Sequence, residues 1–236
     1  MANANTPTFK KSRAEFRDLP YEVRQLPGSP TSQETNTPSG FVMGTGTTLV
    51  GNSKIYSDGQ LTETRRDKDV AIKGRGFFQV QLPNGGGFAY TRDGSFSTNE
   101  QGQLTLSNGY VVQPPISLPQ GYTNLQISQD GLVTVTESSG TSTQVGQLQL
   151  ADFVNPDGLQ PIGGNLYLAT TSSGTETLAN PQSPGYGELF QNMLEGSNVN
   201  VVEEMVNLIE AQRAFEVTSK AVSSVDSMME NLNRTT

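Results

Sequence analysis

Carboxylates are the side chains of this sequence that could perform acid–base chemistry, because the chain contains neither histidine nor cysteine. Asp67 with Asp69, Asp93, and the pair Glu203 and Glu204 could supply the acid and base of a glycosidase-like cleft. Each also has an ordinary structural role, as the flank of a strand, a turn residue or the first turns of a helix. We favour these structural roles and predict no catalytic residue.

Other kinds of site lack the residues they need. Without cysteine there is no disulfide, thiol nucleophile or thiolate metal site, and without histidine there is no Ser-His-Asp triad and no ordinary zinc or haem site. No segment carries the alternating ligands of a calcium loop. Gly74-Arg75-Gly76 lacks the third glycine and the following helix of a dinucleotide site. The sequence therefore predicts a protein that is not an enzyme and holds no cofactor or metal.

The charge balance argues against a nucleic acid partner. The 236 residues include 15 Lys and Arg against 23 Asp and Glu, which gives a net charge of −8. The small basic cluster at Arg65, Arg66 and Lys68 is interleaved with Asp67 and Asp69, so we interpret it as a solvated surface. Phosphate binding needs clustered Lys and Arg, and the chain does not provide them.

Short strands dominate the middle of the chain. Apolar or alternating runs such as 69–73, 77–82, 132–136 and 146–150 are bounded by Gly, Asn and Pro, with no helical period between them. Asp-Gly pairs, which favour tight turns, recur at 58–59, 93–94, 130–131 and 157–158. The fold class is therefore predicted as mainly β: an antiparallel β-sandwich or barrel-like domain, with an irregular extended connecting region before it and a long C-terminal α-helix after it.

A polar segment near the start is punctuated by proline and glycine. It is almost free of apolar residues between Pro27 and Gly40, and it is predicted as an extended loop. Weak strand character follows this loop at 46–50 and 54–56. The predicted division of the chain is a connecting region over 1–67 with the extended loop 27–40, a β domain over 68–185, a return linker over 186–198 and a helix over 199–236.

The C-terminal segment changes to a helical period. From Val199 to Leu232 it contains neither Gly nor Pro, and Ser197 or Asn198 is predicted as its N-cap. A helix of this length is about 50 Å long and cannot bury its apolar stripe on its own small domain, so we expect other molecules to cover it. The alternative is that it packs on its own domain. The predicted packing residues are Val202, Met205, Val206, Ile209, Ala214, Phe215, Ala221, Val222, Val225, Met228, Met229 and Leu232.

Three segments together resemble one family, the rod and hook proteins of the bacterial flagellum. Residues 3–10 (NANTPTFK) resemble the signature that follows the family's first helix. Residues 69–80 (DVAIKGRGFFQV) and 90–96 (YTRDGSF) resemble the entry to its β domain. Residues 197–222 resemble its C-terminal helix. The resemblance covers essentially the whole chain, with the segments in the family's order.

The resemblance implies a mechanical function. Subunits of this family polymerise into a hollow shaft, and the insert at 21–40 is similar to that of the distal rod, which implies a rigid shaft that transmits torque from motor to hook. The implied partners are further copies of the chain, proximal rod proteins, hook protein, the P and L ring proteins and the type III export apparatus. The implied location is the basal body, in the rod that spans the periplasm, reached by export without a cleaved signal peptide.

The resemblance also assigns two parts of the chain. It implies that the C-terminal helix polymerises and that the insert stiffens the rod, with Pro27, Pro30, Gln33, Asn36, Pro38 and Gly40 as the insert's candidate residues. Family members begin with an amphipathic helix before the signature at residues 3–10, so the resemblance implies that this helix is missing here. The alternatives are a proximal rod or hook protein of the same family and, in another class, a secreted polysaccharide-binding β-sandwich.

Overall fold

The computed structural model of the chain describes residues 2–28, 39–138 and 140–235. The described strands pair antiparallel and do not close into a barrel. The prediction of a mainly β fold followed by a long C-terminal helix is confirmed. The helix α1 spans Val201–Thr235, and short 3₁₀ turns lie at Pro83–Gly85 and Pro156–Gly158.

The described residues contain twenty strands, numbered here in chain order. They are β1 (Ser12–Asp18), β2 (Glu22–Gln25), β3 (Phe41–Met43), β4 (Thr47–Lys54), β5 (Leu61–Glu63), β6 (Val70–Lys73), β7 (Phe78–Gln81), β8 (Phe88–Thr91), β9 (Ser97–Thr98), β10 (Leu104–Thr105), β11 (Val112–Gln113), β12 (Tyr122–Ile127), β13 (Leu132–Glu137), β14 (Ser142–Gln147), β15 (Leu150–Asp152), β16 (Gln160–Gly163), β17 (Leu166–Leu168), β18 (Thr177–Ala179), β19 (Glu188–Gln191) and β20 (Met193–Glu195).

The chain divides into two compact units, one of residues 10–56 and the other of residues 1–9 with 57–236. The smaller unit is an antiparallel ribbon in which β1 pairs with β4 and β2 pairs with β3. The Leu19 N–H donates to the Gly46 carbonyl at 2.9 Å, between the two strand pairs. The sequence predicts only weak strand character here, at 46–50 and 54–56. Strands β1, β2 and β3 were missed because a ribbon exposed on both faces shows no clear alternation of apolar residues.

The larger unit contains the hydrophobic core. Its main sheet has the strand order β11-β7-β8-β17-β16, and β12-β13-β14 form a second sheet. Buried aliphatic and aromatic side chains of both sheets form one cluster. Within it, the rings of Phe78 and Phe96 meet edge to face, with their centroids 5.0 Å apart. This core gives the β domain a source of stability that does not depend on the helix.

At two of the predicted Asp-Gly turns the structure shows why the second residue is glycine. Asp130-Gly131 joins β12 to β13 in a hairpin, and Gly131 has a φ of +85°, which suits glycine. At Asp93-Gly94 a Cβ on Gly94 would lie 1.7 Å from the Val70 carbonyl oxygen, so only glycine fits. Asp58-Gly59 does not form a hairpin, because the strands on either side of it pair elsewhere, β4 with β1 and β5 with β20.

Candidate functional site

The helix α1 begins at Val201, two residues later than predicted. Its N-cap is Asn200, whose Oδ1 accepts hydrogen bonds from the Val202 N–H at 3.0 Å and the Glu203 N–H at 3.5 Å. The prediction of Ser197 or Asn198 as the cap is therefore wrong. An asparagine directly before the first helical residue satisfies amides that would otherwise lack a partner. Glu203 and Glu204 lie in the first turn, as predicted.

The helix is exposed on every side. All side chains from Val201 to Arg234 are exposed except that of Glu204, which is half-buried. Among the larger predicted packing residues the exposed fraction runs from 47% at Ile209 to 75% at Phe215, and the smaller Ala214 and Ala221 are exposed as well. Each apolar side chain left in water forgoes about 1.5–3 kcal/mol of burial free energy. The helix therefore presents a large apolar surface that the described β domain leaves open to solvent.

The apolar surface changes sides halfway along the helix. At 100° per residue, Val202, Met205, Val206 and Ile209 form one face, which we call the proximal face. Ala214, Phe215, Ala221, Val222, Val225, Met228, Met229 and Leu232 form the opposite side of the following turns, which we call the distal face. Continuing the proximal face by helical spacing leads to Arg213, Glu216 and Lys220, which are charged. The predicted stripe is therefore two faces whose centres lie about 155° apart around the helix axis.

The distal face has the shape of a packing seam. Ala211, Ala214, Thr218 and Ala221 follow each other at steps of three and four residues and leave a shallow path along the helix. The Thr218 hydroxyl donates to the Ala214 carbonyl at 2.9 Å, so its hydrogen-bonding group is satisfied within the helix. Phe215 and Val222 line one edge of this path. Small side chains flanked by larger ones allow a second helix to approach closely.

The root of the helix, residues 195–200, is held by several segments of the same unit. Strand β20 pairs with β5, the Thr8 N–H donates to the Glu195 carbonyl at 2.9 Å, and the Asn198 side-chain amide donates to Ser57 Oγ at 3.2 Å. The residues that resemble the family's first signature therefore contact the chain just before the helix. The sequence resemblance identified both segments but could not show that they touch.

A buried arginine lies beside the helix root. Arg92, 4% exposed, forms an ion pair with the fully buried Glu195 carboxylate, Nε to Oε2 at 2.9 Å, and a second with Asp58 Oδ1 at 3.1 Å. The sequence analysis missed this group. Its only sequence signal was an Arg-Asp-Gly turn, and the two partners lie 34 and 103 residues away along the chain.

The insert is described only at its two ends. Pro27 and Gly40 lie next to each other beside the pair β2–β3, and a Cβ on Gly40 would lie 2.7 Å from Pro27 Cδ and 2.5 Å from the Gln25 carbonyl oxygen. Glycine at position 40 thus allows the two ends to approach. The other four candidate residues, Pro30, Gln33, Asn36 and Pro38, lie outside the described residues.

The ribbon of residues 10–56 also exposes apolar side chains. Those more than half exposed are Phe16, Tyr21, Val23, Leu26, Phe41, Val42, Leu49 and Val50. A two-stranded ribbon has no core of its own and is marginally stable by itself in water. These side chains therefore form a second surface that packing against other molecules would stabilise.

The predicted carboxylates have structural roles. Asp93 Oδ1 accepts from the Ser95 N–H at 3.0 Å within its turn. Asp69 is buried just before β6, with Oδ1 3.7 Å from a guanidinium nitrogen of Arg66. Across residues 2–28, 39–138 and 140–235, no group of three or more acidic side chains is arranged to hold a metal ion.

Two tyrosines of the β domain have altered acidity. Burial raises the pKa of the Tyr90 hydroxyl above its ordinary value of 10.0, while the hydrogen bond from Gln79 acts in the opposite direction and the charge of Glu176 adds to the rise. Burial also raises the pKa of Tyr186. Both shifts favour the neutral phenol, so neither tyrosine provides a phenolate that could act as a base near neutral pH.

Two family models match the chain. The flagellar hook protein FlgE/F/G D1 domain matches residues 71–135, and the C-terminal domain of flagellar basal body rod FlgEFG proteins matches residues 191–235. The first covers the strands β7 to β12 and most of β6 and β13, and the second covers the helix root and α1. Both models describe proteins of the flagellar rod and hook class, and they match the β domain and the C-terminal helix in the order in which the chain has them.

Full-length relatives narrow the class. The chain is 49% identical to the flagellar basal-body rod protein FlgG of Buchnera aphidicola subsp. Baizongia pistaciae, over 99% of this chain and 90% of that protein. It is 46% identical to FlgG of Caulobacter vibrioides, over 98% and 88%. The chain belongs to the family of flagellar basal-body rod proteins FlgG. The predicted resemblance to flagellar rod and hook proteins is confirmed.

Among solved structures, the chain is similar to the flagellar hook protein FlgE2 of Helicobacter pylori. The TM-score is 0.28 and the identity 14%, with 68% of this chain and 47% of that chain covered. This similarity is too low to carry an argument about the fold. In the described residues, no helix combines the length and hydropathy needed to cross a membrane.

Proposed function

We infer that this chain is a structural subunit of the distal part of the bacterial flagellar rod, where copies polymerise into a rigid hollow shaft that transmits torque from motor to hook. The observation that carries this function is the helix α1, which is exposed on all sides while presenting two apolar faces. Membership in a family named for the basal-body rod supports the same function.

The two faces of α1 would contact different neighbours. The centres of the proximal face and the distal face lie about 155° apart around the helix axis, so one neighbouring helix cannot cover both. Packing on both sides would place each helix between others in a closed layer, which suits the wall of a tube. The β domain has its own core and would lie outside that layer.

The insert and the ribbon that bears it would add contacts between subunits. The exposed apolar side chains of residues 10–56, such as Phe16 and Leu49, would be covered by neighbouring subunits and so limit bending. The Pro27–Gly40 segment would extend this contact and stiffen the rod. Neighbours along the shaft would be proximal rod proteins on one side and hook protein on the other.

The remaining partners follow from a rod that crosses the periplasm. A shaft of this kind would turn within the P and L rings, and its subunits would reach their place through the flagellar export apparatus without a cleaved signal peptide. A mechanical subunit of this kind needs no catalytic group. The structural roles of Asp69, Asp93 and Glu203 fit a protein that is not an enzyme.

Self-association of matched helix variants tests the proposal. Val206→Asp places a charge in the proximal face and Val222→Asp in the distal face, while Asn207→Asp and Ser224→Asp add the same charge on the polar sides of the same turns. All four positions are exposed, so the monomer fold is unaffected. Sedimentation velocity over a concentration series, with electron microscopy of the products, measures assembly.

We expect the parent chain, Asn207→Asp and Ser224→Asp to self-associate through both faces of α1, and Val206→Asp and Val222→Asp, which each keep one face, to form smaller assemblies. Failure of the parent chain to associate at any concentration would contradict the proposal. Equal assembly of Val222→Asp and Ser224→Asp would remove the distal face from the interface. Equal assembly of Val206→Asp and Asn207→Asp would do the same for the proximal face.

A proximal rod or hook protein is the second candidate within the family, and the insert separates the two. Replacing residues 28–39 with a short Gly-Ser linker removes the insert and leaves both ends of the ribbon in place. A distal rod subunit without it should form polymers that bend more, measured as persistence length by electron microscopy. An unchanged persistence length would favour a proximal rod or hook subunit.

A further inference from the structure

The guanidinium of Arg92 has all five of its N–H donors within hydrogen-bond distance of an acceptor. The acceptors are Glu195 Oε2 for Nε at 2.9 Å, the carbonyl oxygens of Gly74 at 2.9 Å and Gly76 at 3.3 Å for Nη1, and Asp58 Oδ1 at 3.1 Å and the Ile72 carbonyl oxygen at 3.3 Å for Nη2. Arginine offers five donors in a fixed planar fork, so this site uses its full hydrogen-bonding capacity.

These acceptors belong to three separate segments of the larger unit. Strand β6 and the turn that follows it provide the backbone oxygens, the segment before β5 provides Asp58, and the end of β20 provides Glu195. Both carboxylates also hold backbone amides, since Asp58 Oδ2 accepts from the Gly74 N–H at 3.1 Å and Glu195 Oε1 accepts from the Gly59 N–H at 2.9 Å. Arg92 thus connects the β domain to the end of β20 and to the segment that leads into β5.

This connection lies at the root of the helix, where its direction is set. Apart from the half-buried Glu204, its side chains from Val201 to Arg234 are exposed, so the contacts that orient α1 relative to the β domain lie at the root and in the first turn. A helix of 35 residues is about 52 Å long, so a rotation of about 10° at the root moves its far end by about 9 Å. Small changes at Glu195 are therefore amplified along the helix.

We propose that Arg92 is a positioning residue that fixes the direction of α1 by clamping Glu195 and Asp58 to the β6–β7 turn. In a rod subunit this clamp would carry load between the helix and the β domain. Only that consequence rests on the proposed function. The clamp itself is a property of the single chain, and it is tested without assembly.

Spin-label distances measure the direction of the helix. The chain contains no cysteine, so Gln126→Cys on β12 and Ser224→Cys on α1, both exposed, give one specific pair of labels. Position 224 lies about 35 Å along the helix, where a rotation of about 10° shifts the label by about 6 Å. Pulsed electron–electron resonance on the monomeric chain gives the width of the distance distribution.

Arg92→Ala should widen the distribution roughly two-fold, because it frees Glu195 and Asp58 together. Asp58→Ala is the milder variant, since it leaves the Arg92–Glu195 pair in place, and it should give a smaller widening. Arg75→Ala is the matched control: it removes an arginine of the same turn whose ion pair with Asp152, at 2.9 Å, lies away from the helix root. It should leave the distribution unchanged.

Circular dichroism separates loss of direction from loss of fold. A wider distribution with an intact β domain in Arg92→Ala and Asp58→Ala supports the clamp. An unchanged width in both variants overturns it. If Arg92→Ala unfolds, Asp58→Ala decides, since a width equal to that of Arg75→Ala would also overturn the proposal. The spin-label distances are measured in the monomer, so they do not depend on whether Val222→Asp loses self-association. The clamp and the proposed rod function can therefore each fail without the other.

Discussion

Phe78 in the β domain is fully buried and meets Phe96 edge to face, whereas Phe215 on the C-terminal helix is 75% exposed. The same contrast holds for the aliphatic residues of the two regions. Ile72, Val80 and Leu148 are fully buried, and Val222 and Leu232 are more than half exposed. The β domain buries its apolar side chains in a core, whereas the helix exposes them to solvent along a length of about 50 Å.

The contrast separates what the chain does alone from what it does with copies of itself. The β domain has a core and needs no partner to keep its fold. The helix draws no comparable stabilisation from the described chain, and helices without tertiary packing are marginal in water. Substitutions of apolar side chains in the core should therefore change the free energy of unfolding, and substitutions on the helix should change self-association.

The largest effect is expected from truncating matched aromatic residues in the two regions. Phe78→Ala should lower the free energy of unfolding of the β domain by about 3–5 kcal/mol, because it leaves a cavity beside Phe96. Phe215→Ala should change it by less than about 0.5 kcal/mol, because the ring is already in solvent. Urea unfolding followed by circular dichroism of the monomer measures both values. A comparable loss in the two variants would mean that the helix is packed on its own domain.

A smaller effect is expected at the start of the helix. Asn200→Ala removes the side chain that caps α1 and should destabilise the helix by about 1 kcal/mol. Helical ellipticity at 222 nm should fall while the unfolding midpoint of the β domain stays the same. The control is Asn207→Ala, which changes the same residue type on the polar side of the helix and should not lower the ellipticity. Coupled loss in both regions would show that they fold as one unit.

The smallest effect is expected on the stability of the β domain at alkaline pH. The raised pKa of Tyr90 means that the unfolded chain loses this proton first, so the β domain is stabilised below pH 10 and loses that contribution as the pH rises above it. Tyr90→Phe should unfold less steeply between pH 10 and 11.5 than the parent chain, as followed by circular dichroism. A parent and variant with the same pH dependence would exclude Tyr90 as a source of alkaline instability.

Local patterns in the sequence predicted the elements that rest on local physics. The Asp130-Gly131 hairpin and the long helix both have their causes in neighbouring residues, and both are confirmed. The division of the apolar stripe into two faces also has a local signal, the five-residue step from Ile209 to Ala214, which interrupts the spacing of three and four residues. Strands β1 and β2 were missed because exposure on both faces removes the alternation that marks a half-buried strand.

The helix root could not be predicted in the same way. Arg92, Asp58 and Glu195 are ordinary surface residue types, and their meeting depends on the pairing of β5 with β20, which are far apart in the chain. Burial of charged groups follows from tertiary structure and leaves no periodic signal. The cap at Asn200 was misplaced for a related reason, since three polar residues within 197–200 can each cap a helix.

Amide hydrogen exchange, compared between the monomeric and the assembled chain, tests the central claim most directly. In the monomer, we expect amides of Val201–Thr235 to exchange much faster than those of the core strands β7, β8 and β13. In the polymer, the helix should become protected while the core strands change little. Helix amides that are as protected in the monomer as those of β7 would contradict the account, because α1 would then be stabilised by its own domain and would need no copies to cover it.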